Sequence, residues 1–216
     1  MTQNSTPSIQ AASTAAIPTG NTFDKYGSTN PLVRWMMRGF KKSVWELLDQ
    51  TKPQNLLDVG CGEGIMAEAI VRRYAQVDVT GIDLDDGALK AHWSTRQIDR
   101  LTFCTGVAEG LPFRDNSFDT ITSLEVLEHV QDPEASLSEM ARVASNWLVL
   151  SVPREPLWRG LNMARGAYLA QFGNTPGHLN HWSRTNFVKL ASRFGEVVEV
   201  RSPLPWTVLL VNVASR

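Results

Sequence analysis

The sequence predicts an open α/β fold, a mostly parallel sheet with helices on both faces, and three stretches carry that reading. Leu56-Leu57-Asp58-Val59 is an apolar strand that runs directly into the glycine-rich turn Gly60-Cys61-Gly62-Glu63-Gly64. A second apolar strand, Val77 to Ile82, ends on Asp83. Trp147 to Val152 is a continuous apolar run, as expected of a strand buried on both faces. Strand, glycine turn, helix and a strand closed by a carboxylate make one half of a nucleotide-binding sheet.

Taken in order, residues 1–21 are Ser, Thr, Ala, Gln and Asn with little apolar content, and they lack the basic start and apolar core of a signal peptide. They are expected to form a disordered tail. Order is expected from Thr22. Pro31 opens a helix reaching about Gln50, with Leu32, Trp35, Met36, Phe40, Val44, Leu47 and Leu48 at helical spacing. Pro53 separates it from the first strand, and a helix from Ile65 to Tyr74 follows the glycine turn. Asp132-Pro133 starts another helix through Ala144, because Asp caps well and Pro suits the first turn. Residues 153–182 break the alternation and read as an insertion. Arg184 to Phe194 reads as a helix, and Glu196–Arg201 and Trp206–Val213 as the last strands. The expectation is a single domain over 22–216, with 22–52 as an N-terminal helical cap and 153–182 as an insertion. Both should flank the carboxyl edge of the sheet, where ligands bind in open α/β folds.

The glycine turn narrows the ligand. Glycine adopts positive φ without a Cβ clash and lets a ligand approach the backbone, and the following helix aims its unpaired N–H groups at the turn. The spacing is Gly-x-Gly-x-Gly over Gly60, Gly62 and Gly64, not the Gly-x-Gly-x-x-Gly of dinucleotide sites. Asp58 stands before the turn, where a carboxylate opposes a pyrophosphate and suits an ammonium group. Asp83 is placed to accept ribose hydroxyls. A nucleoside carrying an amino acid fits best.

The segment from Leu57 to Gly64 resembles the first motif of class I S-adenosylmethionine-dependent methyltransferases, and Gly81-Ile82-Asp83-Leu84-Asp85 resembles their second. Ala108-Glu109-Gly110-Leu111-Pro112-Phe113, followed by Asn116-Ser117-Phe118-Asp119, is similar to the segment that borders adenine. Ser123-Leu124-Glu125-Val126-Leu127-Glu128-His129-Val130 is similar to the motif after the fourth strand. The four lie in the expected order across residues 54–152. The resemblance implies a Rossmann-like seven-stranded sheet with an antiparallel last strand. It also implies S-adenosylmethionine as cofactor, S-adenosylhomocysteine as product, and cofactor contacts from Asp58, Gly60, Cys61, Gly62, Gly64, Asp83, Leu84, Ala108, Glu109 and Glu125. The chain departs from the family at Val107, where an acidic residue usually pairs with the adenine amino group.

Composition bounds the rest. A chain of 216 residues that is 43% hydrophobic can bury a substantial core. A net charge of −1 gives no field that recruits nucleic acid, so no DNA partner is expected. Cys61 and Cys104 have neither disulfide nor zinc spacing, and two reduced thiols point to a cytoplasmic setting. No Tyr-x-x-x-Lys pair supports an NAD-linked oxidoreductase, and no Asn-Pro-Pro-aromatic segment supports a base methyltransferase.

The acceptor is expected between the two flanking segments. Phe23, Tyr26, Trp35, Trp158, Tyr168 and Trp182 are candidates for an apolar wall, with His178 beside them; Tyr26, next to Gly27 before the first helix, lies in a segment of the kind that the resembled enzymes close over the cofactor. A small-molecule acceptor, aromatic or lipidic, is favoured, and O-methylation over N-methylation. A hydroxyl must lose a proton, for which His129 and His181 are the candidate bases. Glu125, Glu128 and His129 fall at i, i+3 and i+4, so one helical turn sets them on one face. With a distant His this pattern resembles metal-assisted O-methyltransferases, including those acting on quinone precursors and on RNA ends. The same motif recurs in class members without metal, so the expectation is metal-free, with Glu125, Glu128, His129 and His181 as the ligand set if a divalent ion is used. RNA-end 2′-O-methylation and a non-catalytic cofactor-binding role are the alternatives.

Arg34, Arg38, Lys41 and Lys42 interleave with Trp35, Met36, Met37 and Phe40, and Arg154, Arg159 and Arg165 repeat the theme. Such segments fit peripheral contact with the inner face of an anionic membrane, or two core-facing helices with solvated basic sides.

Overall fold

A computed structural model describes residues 28–164, 166 and 168–214. The expected tail, Phe23 and Tyr26 lie outside these residues.

Seven strands form one sheet: β1 (Asn55–Val59), β2 (Asp78–Asp83), β3 (Leu101–Thr105), β4 (Phe118–Leu124), β5 (Ala144–Pro153), β6 (Glu196–Arg201) and β7 (Trp206–Asn212), in the order β3-β2-β1-β4-β5-β7-β6. All pairs from β3 to β5 are parallel, and β7 runs antiparallel to both neighbours. This is the architecture expected from the sequence. The order reverses between β1 and β4, so the turns after these two strands sit side by side at the carboxyl edge.

Six helices flank the sheet: α1 (Pro31–Thr51), α2 (Ile65–Arg73), α3 (Gly87–Ser94), α4 (Pro133–Val143), α5 (Leu157–Ala164) and α6 (Arg184–Ala191). Asn30 caps α1 by accepting from the Leu32 amide at 2.9 Å. Asp132 caps α4 by accepting from Glu134 and Ala135, each at 3.0 Å, a cap worth about 1 kcal/mol. The Asp86 cap opens α3, which the sequence reading did not name; its signal is a capping Asp followed by Leu89 and Trp93 at i, i+4, both buried.

The core has two layers, one on each face. Phe40, Val44, Leu47 and Leu48 of α1 join Ile70 of α2 and Val149 and Leu210 of the sheet. On the other face Leu137 and Met140 of α4 and Phe187 of α6 pack on Ile121, Leu148 and Leu209. Truncating a fully buried Leu such as Leu47 to Ala costs roughly 2–5 kcal/mol. α1 therefore faces the core, with Arg34, Arg38 and Lys42 exposed beside Leu32 and Trp35. No helix among the described residues is long and apolar enough to cross a membrane. Both cysteines are free thiols.

Residues 153–182 hold α5, a single 3-10 turn at Leu169–Gln171 and an irregular loop. The loop is fastened to the turn after β4: the amides of Leu179 and Asn180 donate to the Glu128 carbonyl at 2.8 and 3.1 Å. The Asn180 side-chain amide donates to the Leu127 and Val130 carbonyls at 3.1 and 2.8 Å.

Candidate active site

A cavity of about 1100 Å³ opens at the carboxyl edge of the sheet, running from the glycine turn to the 153–182 segment. Gly60, Gly62 and Gly64 all have positive φ. A Cβ on Gly60 would collide with Val126 in the turn after β4, and one on Gly64 would stand 2.6 Å from the Phe103 ring. The Gly60 and Cys61 amides donate to the Ile82 carbonyl at 2.8 and 3.2 Å.

Asp83 clamps the turn. Its Oδ2 accepts from the Gly62 amide at 2.6 Å and its Oδ1 from the Leu84 amide at 2.7 Å. Burial raises its pKa, against those two bonds, and Asp86 adds to the rise. Behind the turn, Trp93 donates to the Gly62 carbonyl at 2.8 Å and stacks on Phe103 at 5.2 Å. Arg96 donates to the Glu63 carbonyl at 2.7 Å and pairs with Glu68. The sequence reading missed this brace because it falls on α3 and the residues after it.

Asp58 is 2% exposed yet lines the cavity. Thr122 donates to its Oδ1 at 2.6 Å, while Oδ2 has no hydrogen-bond partner among the described residues. Burial pushes its pKa up to about 7; the Thr122 bond opposes the rise and the Asp83 charge adds to it. An orphaned, buried carboxylate oxygen beside a glycine turn fits a cofactor that carries positive charge. Cys61, Leu84, Ala108, Glu109 and Glu125 also line the cavity. Burial raises the Cys61 thiol pKa, which keeps it protonated. Glu125 sits at φ 60 with its amide on the Ser151 carbonyl. Val107, the position that departs from the family pattern, is exposed and also lines the cavity.

At the other end stand His129, Trp158, Leu161, Tyr168, His178 and Trp206. His129 Nδ1 lies 2.9 Å from the Gly177 carbonyl. A carbonyl only accepts, so His129 Nδ1 is the donor. The His129 and His178 rings meet edge to face at 4.9 Å, and Trp158 lies nearly parallel to His178 at 6.1 Å. The Trp158 indole donates to Thr175 at 2.9 Å, and so does the Asn162 amide at 3.1 Å.

Three expectations need correction. His181 is exposed, lies near Glu155 and is absent from the cavity wall; the imidazole that joins His129 is His178. Trp182 is not an acceptor wall, since it packs on Phe187 at 6.2 Å and pairs with Arg154. Trp35 is 54% exposed, at the side of α1 away from the cavity wall. The single helical face drawn for Glu125, Glu128 and His129 is absent too. Glu125 takes the left-handed conformation and the chain then turns, sending Glu128 inward at 1% exposure. The three side chains within ligand reach of one another are Glu128, His129 and His178, without Glu125 or His181.

The described cavity wall contains Asp58, Glu63, Asp83, Glu109 and Glu125, and no Lys or Arg.

Comparison with known proteins agrees with this geometry. Residues 57–146 match the family described as "Methyltransferase domain". Norajmaline N-methyltransferase of Rauvolfia serpentina is 35% identical over 44% of this chain and 33% of its own length. Ubiquinone biosynthesis O-methyltransferase of Idiomarina loihiensis is 43% identical over 41% of this chain and 37% of its own. The chain thus spans little more than a third of these relatives. Magnesium protoporphyrin IX methyltransferase from Synechocystis PCC 6803 with bound SAH has a similar fold, with TM-score 0.61 and 20% identity over 86% of this chain and 89% of that one. The matched residues supply the glycine turn, Asp83 and the motif after β4, so residues 57–146 are similar to a methyltransferase domain, and the chain has the class I methyltransferase fold.

Proposed function

We propose that the protein moves the methyl group of S-adenosylmethionine to a hydroxyl oxygen of a small, largely apolar acceptor. The observation that carries this reading is the single cavity that joins Asp58 and the glycine turn to an aromatic end where His129 and His178 meet. The sulfonium already makes the methyl carbon electrophilic, so the protein's task is in-line positioning. As the oxygen–carbon bond forms, the carbon–sulfur bond breaks with its electron pair going to sulfur, and the hydroxyl proton passes to the His129 imidazole. His129 and His178 are the groups that meet the acceptor oxygen, while Trp158, Leu161 and Tyr168 cover its apolar body. The relatives include both O- and N-methyltransferases, so the oxygen preference rests on the two imidazoles at the acceptor end, while the five carboxyls of the wall oppose the phosphates of an RNA end.

The test is transfer of labelled methyl to a panel of phenols, catechols and amines. Transfer to hydroxyl compounds is expected, with His129→Ala lowering kcat/KM by about 100-fold or more and leaving cofactor affinity unchanged. Tight cofactor binding with product formed only from amines would sink the oxygen reading. Binding with no product from any acceptor would favour a non-catalytic role.

A further inference from the structure

We infer that the Thr175 hydroxyl donates its proton to a carbonyl oxygen of the methyl acceptor, so that the acceptor is a neutral hydroxyl compound that also carries a carbonyl group. The site deepens the proposed function and rests on it only for the fate of the bound compound; binding of the carbonyl does not depend on methyl transfer.

Thr175 is 8% exposed and lines the cavity beside Trp158, Asn162 and His178. Its Oγ1 accepts the Trp158 indole N–H at 2.9 Å and the Asn162 amide at 3.1 Å. The direction of both bonds is fixed. An indole nitrogen only donates, and the same Asn162 nitrogen also reaches the Gly173 carbonyl at 2.8 Å, which only accepts. A hydroxyl has two lone pairs and one proton. With both lone pairs taken, donation is the one hydrogen bond left to Thr175, and its proton meets no acceptor among the described residues. The two partners are themselves held: Asn162 is buried, and Trp158 lies against His178 at 6.1 Å and Trp206 at 5.9 Å. Thr175 is therefore set as a donor before any ligand arrives.

The chemistry of the wall selects what that proton meets. Five carboxyls and no Lys or Arg among the described lining residues repel an anionic oxygen. A carbonyl oxygen is neutral, accepts strongly and brings no proton of its own, so it complements a hydroxyl that can only donate. A second unused donor stands at the same end. Trp206 lines the cavity, and its buried indole N–H has no hydrogen-bond partner among the described residues. A buried donor left unpaired is costly, so a carbonyl compound gains here over a hydrocarbon of the same shape. Thr175 and His178 also share one turn, with the His178 amide on the Thr175 carbonyl at 3.1 Å. The same loop thus sets the proton for the carbonyl and an imidazole proposed to meet the reacting oxygen.

The experiment is calorimetry of the full chain loaded with S-adenosylhomocysteine, titrated with the ortho, meta and para isomers of hydroxyacetophenone and of ethylphenol, pairs of matched shape. At least one acetyl isomer should bind about tenfold or more tightly than its ethyl partner. Thr175→Val keeps the shape and removes the proton, so it should erase that difference, and Thr175→Ser should retain it. A merely structural role would weaken both members of a pair alike. S-adenosylhomocysteine binding by each variant serves as the folding control, and Thr175→Ala decides the matter if Thr175→Val fails it. Equal affinities within every pair, no binding by either series, or a difference that survives loss of the hydroxyl would overturn the site. If the site fails while labelled methyl still passes to phenols, the proposed function stands without it. If the acetyl preference follows this variant pattern but no hydroxyl compound is methylated, the site stands and the proposed function falls.

Discussion

Under the proposed function, Asp58 holds the counter-charge of a cationic cofactor in surroundings that resist charge. With its pKa pushed up to about 7 by burial, it is largely protonated in the free protein at mildly acidic pH. A raised carboxyl pKa favours folding where the group is neutral in both states, below about pH 4. That contribution is lost progressively as pH rises from about 4 to about 7 and is constant above. A positively charged cofactor reverses the preference by drawing the proton off. Calorimetry in buffers of different ionisation heat should therefore show nearly one proton released per S-adenosylmethionine near pH 6 and few near pH 8. Affinity should rise with pH up to about 7, and Asp58→Asn should abolish both effects. Asp58, the three glycines and Asp83 were legible because each sits at a fixed offset from an apolar strand. His178 was not distinguishable from His181, since the two are three residues apart on an irregular loop. Main-chain bonds to Glu128 decide which imidazole turns inward, and no periodicity encodes them.

At the scale of elements, the 175–180 loop completes the end of the cavity proposed for the acceptor. Asn180 is its anchor, with one side-chain amide spanning the carbonyls of Leu127 and Val130. Asn180→Ala leaves both carbonyls without that donor, at a cost of roughly 1–3 kcal/mol. The expected outcome is a raised KM for the acceptor, severalfold or more, with S-adenosylmethionine affinity unchanged because Asp83 and the glycine turn lie on other elements. Loss of cofactor affinity in the same measure would show that the loop supports the whole cavity. Helices α1, α2, α4 and α6 were visible in the sequence through apolar spacing and caps. α3 escaped although Asp86, Leu89 and Trp93 carried its signal, and the segment 153–182 showed only that its alternation was broken, because its order depends on partners elsewhere in the chain.

Over the whole molecule, a net charge of −1 conceals an uneven distribution. The exposed side of α1 is basic, whereas the described cavity wall carries five carboxyls and no Lys or Arg. A neutral acceptor should be preferred over its carboxylate-bearing analogue by at least about tenfold in kcat/KM, one charge repulsion in a partly buried site. Equal rates for the two would show that the wall is neutralised in the working protein. The sheet order was readable because four motifs in sequence trace one path along a single edge. The sign of the cavity was only half readable, through Asp58 and Asp83, since Glu63, Glu109 and Glu125 acquire a common field once the turns after β1, β3 and β4 are brought together.

The loop that carries His178 is held to the turn after β4 by main-chain amides, by the Asn180 side chain and by the His129 ring on the Gly177 carbonyl. That docking fixes Thr175, which accepts from Trp158 and Asn162, Gly177, which holds φ 87, and His178, which packs on His129 and Trp158. Pro176 lines the cavity between these fixed positions, so changes there can diversify acceptor choice while Thr175, Gly177, His178 and Asn180 are kept and the cofactor half stays constant.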